Sequence, residues 1–182
     1  ETIEHPLHIQ KYEWGALRVK NLIDEEIIML AENYAIPQKE LKNRADKIIN
    51  DVNSAFISNG KPIHLIEKGE AECLALSELL NEKGIETAVV IDERTARMLC
   101  EDPEKLKKLM EQKLRTKINM KKDNLRNLEK IKVIRSTELM YIAYKKGLID
   151  VEDKRVLEAI LFALKYGGCS ISEKEIQIIK NL

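Results

Sequence analysis

Apolar positions recur at helical spacing through the first third of the chain. Leu17, Leu22, Ile23, Ile27, Ile28 and Leu30 fall near one face of a helix over residues 14–34, with Asp24, Glu25 and Glu26 among them. Ile36-Pro37 breaks that pattern, and Pro37 suits the first turn of a second helix carrying Leu41, Ile48, Val52 and Phe56. Asn59-Gly60-Lys61-Pro62 is expected to end it. A short extended piece over 63–66 precedes Gly69-Glu70-Ala71-Glu72, after which strong helix formers run to Leu80 and Gly84 closes the helix. Thr87-Ala88-Val89-Val90-Ile91 is short, continuous and rich in β-branched residues, as in a strand covered by helices on both faces.

Asp92 stands at the carboxyl end of that strand, where ligand sites collect in open parallel sheets. A helix over 95–100 follows. Residues 101–130 hold ten basic side chains against six acidic ones and look least compact, so they read as a charged, solvated helical insert. Ile131-Lys132-Val133-Ile134 forms a second strand, Ser136 caps a helix through Tyr144, and Gly147 ends it. Another helix is expected over 150–166, and Ser172-Glu173-Lys174-Glu175 opens the last. Strands alternating with helices argue for a helix-rich α/β layer structure with a small parallel sheet, although two strands make a poor sheet alone.

Composition narrows the chemistry. At 182 residues and 44% hydrophobic, the chain can bury one substantial core, which points to a single domain over 1–182. Lysine plus arginine equal aspartate plus glutamate at 31 each, so nucleic-acid binding has to come from a local patch. Cys73, Cys100 and Cys169 are odd in number and widely spaced among apolar neighbours, and read as buried thiols in a reducing compartment. No apolar run approaches the roughly 20 residues that span a bilayer, and the N-terminus has no signal-peptide organisation; a cytoplasmic protein with no membrane partner is expected.

Neither a phosphate-binding loop nor a glycine-rich dinucleotide fingerprint is present, so no nucleotide cofactor is expected. His5 and His8, separated by Pro6, make no metal site by themselves, and His64 reads as packed. Tyr12 and Trp14 read as core or contact residues of the first helix. Lys107, Lys108, Lys121 and Lys122 offer a basic arm for phosphates, but aromatics make up only 4% of the chain and none lies among those charges to stack a base.

One carboxylate from Glu70 or Glu72 on a first helical turn can converge with Asp92 at the end of the neighbouring strand. Hard oxygen ligands of this kind suit magnesium or manganese. Gly69-Glu70-Ala71-Glu72-Cys73-Leu74-Ala75-Leu76, followed by Val89-Val90-Ile91-Asp92-Glu93-Arg94-Thr95-Ala96-Arg97, resembles the glycine-glutamate-alanine-glutamate branch of the PIN-like proteins, common in archaea and bacteria. Val133-Ile134-Arg135-Ser136-Thr137 and Lys145-Lys146-Gly147-Leu148-Ile149 continue the likeness, which is best over 35–100 and 131–182 and is interrupted by the insert at 101–130.

The resemblance implies a three-layer PIN-like fold and a divalent-metal-dependent endoribonuclease, related to toxins of toxin–antitoxin pairs, for which an antitoxin or other protein partner and a homodimer are expected. Carried over by position, Glu72 or Glu70 matches the acid at the start of the central helix, Asp92 the acid after the next strand, and Glu40 the acid after a proline-marked segment. A PIN domain ordinarily starts with a hydrophobic strand ending in Asp, and nothing over 1–34 resembles it. Either the sequence lacks that segment, or the strand is lost, or another segment replaces it; the alternative expectation is a catalytically degenerate module that binds nucleic acid or protein.

Overall fold

The computed structural model describes residues 4–182, with side chains from Pro6 onward. It is a helix-rich mixed α/β structure with two small sheets. Its contacts divide it into two compact units, residues 1–41 and residues 42–182.

In the first unit, α1 (Glu4–Leu7) leads into α2 (Gln10–Asp24), and a 3-10 turn (Ala31–Tyr34) follows. The expected helix over 14–34 therefore stops about halfway, at Asp24. Glu26 adopts φ 57°, and the amides of Glu26 and Ile27 bond back to the carbonyls of Ile23 and Leu22. That left-handed cap satisfies the last carbonyls before the apolar pattern runs out. Trp14 and Tyr12 are exposed rather than packed, and so are Ile27 and Met29. The side chain of His5 lies outside the described residues.

α3 (Gln38–Ala55) crosses into the second unit, with the Pro37 carbonyl accepting from the amides of Glu40 and Leu41. It buries Ala45, Ile48, Val52 and Ala55 along one stripe. The helix ends before Phe56, which instead begins β1 (Phe56–Ser58), paired antiparallel with β2 (Lys61–Pro62). Asn59 and Gly60 have φ of 49° and 75°, so the pair forms a two-residue hairpin turn rather than a helix stop.

Next come α4 (Lys68–Glu82), β3 (Ala88–Val90), α5 (Arg94–Glu101), α6 (Pro103–Leu114) and β4 (Ile118–Met120). β4 pairs antiparallel with β1, placing Ile118 opposite Ser58. Leu106, Ile118, Leu125 and Leu128 are all buried. The charged stretch at 101–130 is therefore part of the core and completes a sheet, not a solvated excursion: its apolar residues are sparse but sit at inward positions.

β5 (Lys132–Ile134) pairs parallel with β3, Val89 opposite Val133, as the strand–helix alternation suggested. Only Val89 of β3 is buried while Val90 is 45% exposed, so one face of this pair is open, contrary to a strand covered on both sides. α7 (Ser136–Lys145), α8 (Val156–Tyr166) and α9 (Glu173–Lys180) complete the chain. α8 starts six residues later than expected, after a turn in which the Asp153 carboxylate accepts from the Arg155 amide and pairs with its guanidinium. Leu157, Leu161, Cys169, Ile171, Ile176 and Ile179 form one core beneath these helices. Among the described residues, no helix is long and apolar enough to cross a membrane.

Candidate functional site

The ladder between β3 and β5 runs one residue further, with the Ile91 amide donating to the Ile134 carbonyl at 2.8 Å. This aims Asp92 at the start of α7, where its Oδ1 accepts from the Ser136 amide at 2.8 Å. The Asp92 carbonyl accepts from the Ser170 amide at 3.1 Å, so the same residue also fastens the segment before α9. Burial pushes the Asp92 carboxyl up, but the Ser136 amide, the Cys169 thiol, the Ser136 hydroxyl and the Arg135 charge together hold it below the usual carboxylate range. Asp92 is thus an anion serving a helix N-terminus.

The Cys169 thiol is raised, first by burial and then by Asp92. Ser136 Oγ is buried beside these groups without a well-formed hydrogen bond. Arg135 lies alongside, donating from Nη1 to Glu175 Oε1 at 2.7 Å and to the Ser170 carbonyl at 3.3 Å, and from Nε to Glu138 Oε1 at 2.7 Å. Burial opposes the Arg135 charge, but the two carboxylates outweigh it and raise its pKa. Glu175 is desolvated by burial, yet its bonds to the Ser172 hydroxyl and amide and to Arg135 lower it to about 2. The network ties β5, α7 and α9 together.

Against this network opens a cleft of about 740 Å³. One wall is a face of α5 and the start of α6, bearing Arg94, Arg97, Met98, Glu101, Asp102 and Lys105; the spacing i, i+3, i+4, i+7 places the first four on one side of α5. The other wall is Lys165, residues 169–172 and Glu175. Four basic side chains face three acidic ones, but the acids are engaged. Glu175 serves Arg135, Asp102 accepts from the Lys105 amide as the cap of α6, and Glu101 lies 3.5 Å from Arg97 Nε. That ion pair falls short of a good hydrogen bond, and Arg97 Nε is buried without a hydrogen-bond partner. Arg94 and Lys105 make no ion pair among the described residues. Lys165 pairs with Glu173 at 2.8 Å, so the donors the cleft leaves available for an anion are chiefly those of Arg94 and Lys105.

The residues singled out from sequence are distributed differently. Glu70 Oε2 accepts from the Glu67 amide at 3.0 Å, capping the helix it sits on, and Glu72 pairs with Lys68 at 3.4 Å. Glu40 is exposed on the first turn of α3. Among the described residues no three histidine, cysteine or carboxylate side chains are grouped to hold a metal ion. Glu70, Glu72 and Asp92 as they stand do not fit a three-carboxylate magnesium or manganese centre. His64 is exposed beside Glu67 rather than packed, and Cys73 is exposed rather than buried.

Lys122 pairs with Glu104, whose carboxyl is held down first by that bond and also by Lys107 and Lys108. Lys121 is exposed, and none of these four lysines lines the cleft. Sequence reasoning did not single out Arg94, Arg97, Lys105 or Lys165 for the cleft. The signal for the first two was in plain view: arginines three apart on the helix that starts just after Asp92. No protein-family model, curated protein or solved structure matches the chain.

Proposed function

We propose that the chain is a PIN-like module that holds RNA by its phosphodiester backbone in the cleft between α5 and the segment leading to α9. The observation that carries this reading is the convergence of Arg94, Arg97, Lys105 and Lys165 on one cleft, with Arg94 and Lys105 free of ion pairs among the described residues. Phosphate oxygens accept from guanidinium and ammonium donors, and a groove with basic walls tracks a backbone without reading its sequence.

The commitments of the acids favour binding over hydrolysis. Asp92 caps α7, Glu70 caps α4, and Glu72 pairs with Lys68. The test is fluorescence anisotropy of a labelled single-stranded RNA against wild type and Arg94→Gln/Lys105→Gln, with and without manganese. Binding that weakens in the double variant, without cutting in either condition, is expected. Manganese-dependent cleavage lost in Asp92→Asn would replace the binding reading with a metal-dependent ribonuclease, and affinity unchanged in the double variant would remove the cleft from the account.

A further inference from the structure

The basic run at 105–130 holds no aromatic residue, but an exposed one directly follows Lys165, which lines the cleft. Tyr166, the last residue of α8, is 79% exposed. Its ring stacks on Phe162 one turn earlier, with centroids 6.3 Å apart and planes 24° from parallel. Phe162 packs against the core beneath α8, so the tyrosine ring rests on a fixed support.

Lys165 connects this ring to the cleft. Its Nζ lies 5.7 Å from the Tyr166 centroid and 5.7 Å from that of Phe162, while the same side chain lines the cleft and pairs at 2.8 Å with the exposed Glu173, which a phosphate would have to displace. The two residues after the ring are Gly167 and Gly168, which put no side chain next to it. A cation near an exposed aromatic face is the pairing that a nucleotide presents in complement: a phosphate, and close to it a flat base.

Building on the RNA reading above, we propose that Tyr166 is a stacking surface for one nucleobase of a single strand whose phosphates lie along the cleft, Lys165 taking the phosphate next to that base. Every base has a π-face, so this contact is tolerant of sequence but requires an unpaired base. Duplex RNA, with its bases stacked internally, gains nothing from the ring.

The test compares wild type, Tyr166→Ala and Tyr166→Trp for anisotropy of a labelled single-stranded RNA of roughly ten nucleotides, with inorganic polyphosphate as a base-free competitor. At 79% exposure the ring can be replaced without opening the core, and a thermal melt checks this. Tyr166→Ala is expected to weaken single-stranded RNA binding roughly 5- to 100-fold and to leave the inhibition constant of polyphosphate unchanged, whereas Tyr166→Trp restores affinity. In a Trp14→Phe background the new indole should be quenched by RNA. Equal RNA affinity of Tyr166→Ala and wild type overturns this proposal and leaves the cleft reading standing. No binding of RNA or polyphosphate by wild type overturns both.

Discussion

Asp92 and Ser136, 44 residues apart in sequence, meet through a 2.8 Å hydrogen bond from the Ser136 amide to the Asp92 carboxylate. The bond joins the end of one parallel strand to the helix that follows its partner, and the Asp92 carbonyl also holds the amide of Ser170, which lines the cleft.

Because that carboxylate serves a helix N-terminus, removing it should cost stability before anything else. Asp92→Ala is expected to lose about 1–3 kcal/mol, from the orphaned amide and the lost charge at the helix end. Asp92→Asn keeps an acceptor oxygen and should lose less than the alanine variant. Urea denaturation measures the difference; an alanine variant as stable as wild type would show the bond to be idle.

Acid should weaken the fold through Glu175. Its carboxyl is held at about 2 in the folded chain against 4.5 for the free group. A depressed carboxylate contributes stability that is present above the unfolded value and is lost as the pH falls through that interval. Stability should decline between pH 4.5 and 2, and Glu175→Gln should flatten that limb while lowering stability at pH 7. A pH series of thermal melts on the two proteins separates the outcomes, parallel acid limbs being the contrary one.

Leu128, 2% exposed, tests whether the basic segment belongs to the core. Leu128→Ala is expected to destabilise by about 2–5 kcal/mol, as deletion of a buried leucine does. A solvated excursion would tolerate the change within about 0.5 kcal/mol.

RNA affinity should fall with salt in proportion to the phosphates neutralised. For a single strand the slope of log K on log salt changes by about 0.7 per contact, so Arg94→Gln and Lys105→Gln should each flatten it by about that amount. Lys107→Gln and Lys121→Gln, which lie off the cleft, should leave it unchanged.

Local rules carried much of the fold. Gly147, at φ 67°, closes α7 where the sequence placed a stop, and Ser172 with Glu175 forms the capping box read from four residues of sequence. β5, Lys132–Ile134, falls within the strand expected over 131–134. What was missed depended on partners distant in sequence. Phe56 continues the helical apolar stripe and reads as its last turn, yet it pairs with Met120 across the sheet. Asn59-Gly60 fits a helix end or a hairpin, and only the neighbouring strand decides.

The site divides in the same way. Asp92 at a strand end was legible, and its environment was not, since Ser136, Cys169 and Arg135 reach it through tertiary packing. Glu70 and Glu72 looked like ligands by position, but a glutamate on a first helical turn satisfies its own helix as readily, and Glu70 does. Lys165 and Tyr166 adjoin Gly167 in a segment that gave no functional signal of its own, and α8 carries Lys165 to the cleft.

The most direct test of the account is a titration of the 21.0 kDa protein with single-stranded RNA followed by amide chemical shifts. Shifts concentrated over residues 94–105 and 165–175 are expected, strongest at Arg94, Arg97 and Ser170. Shifts confined to the lysines at 107, 108, 121 and 122, or none at saturating RNA, would contradict it.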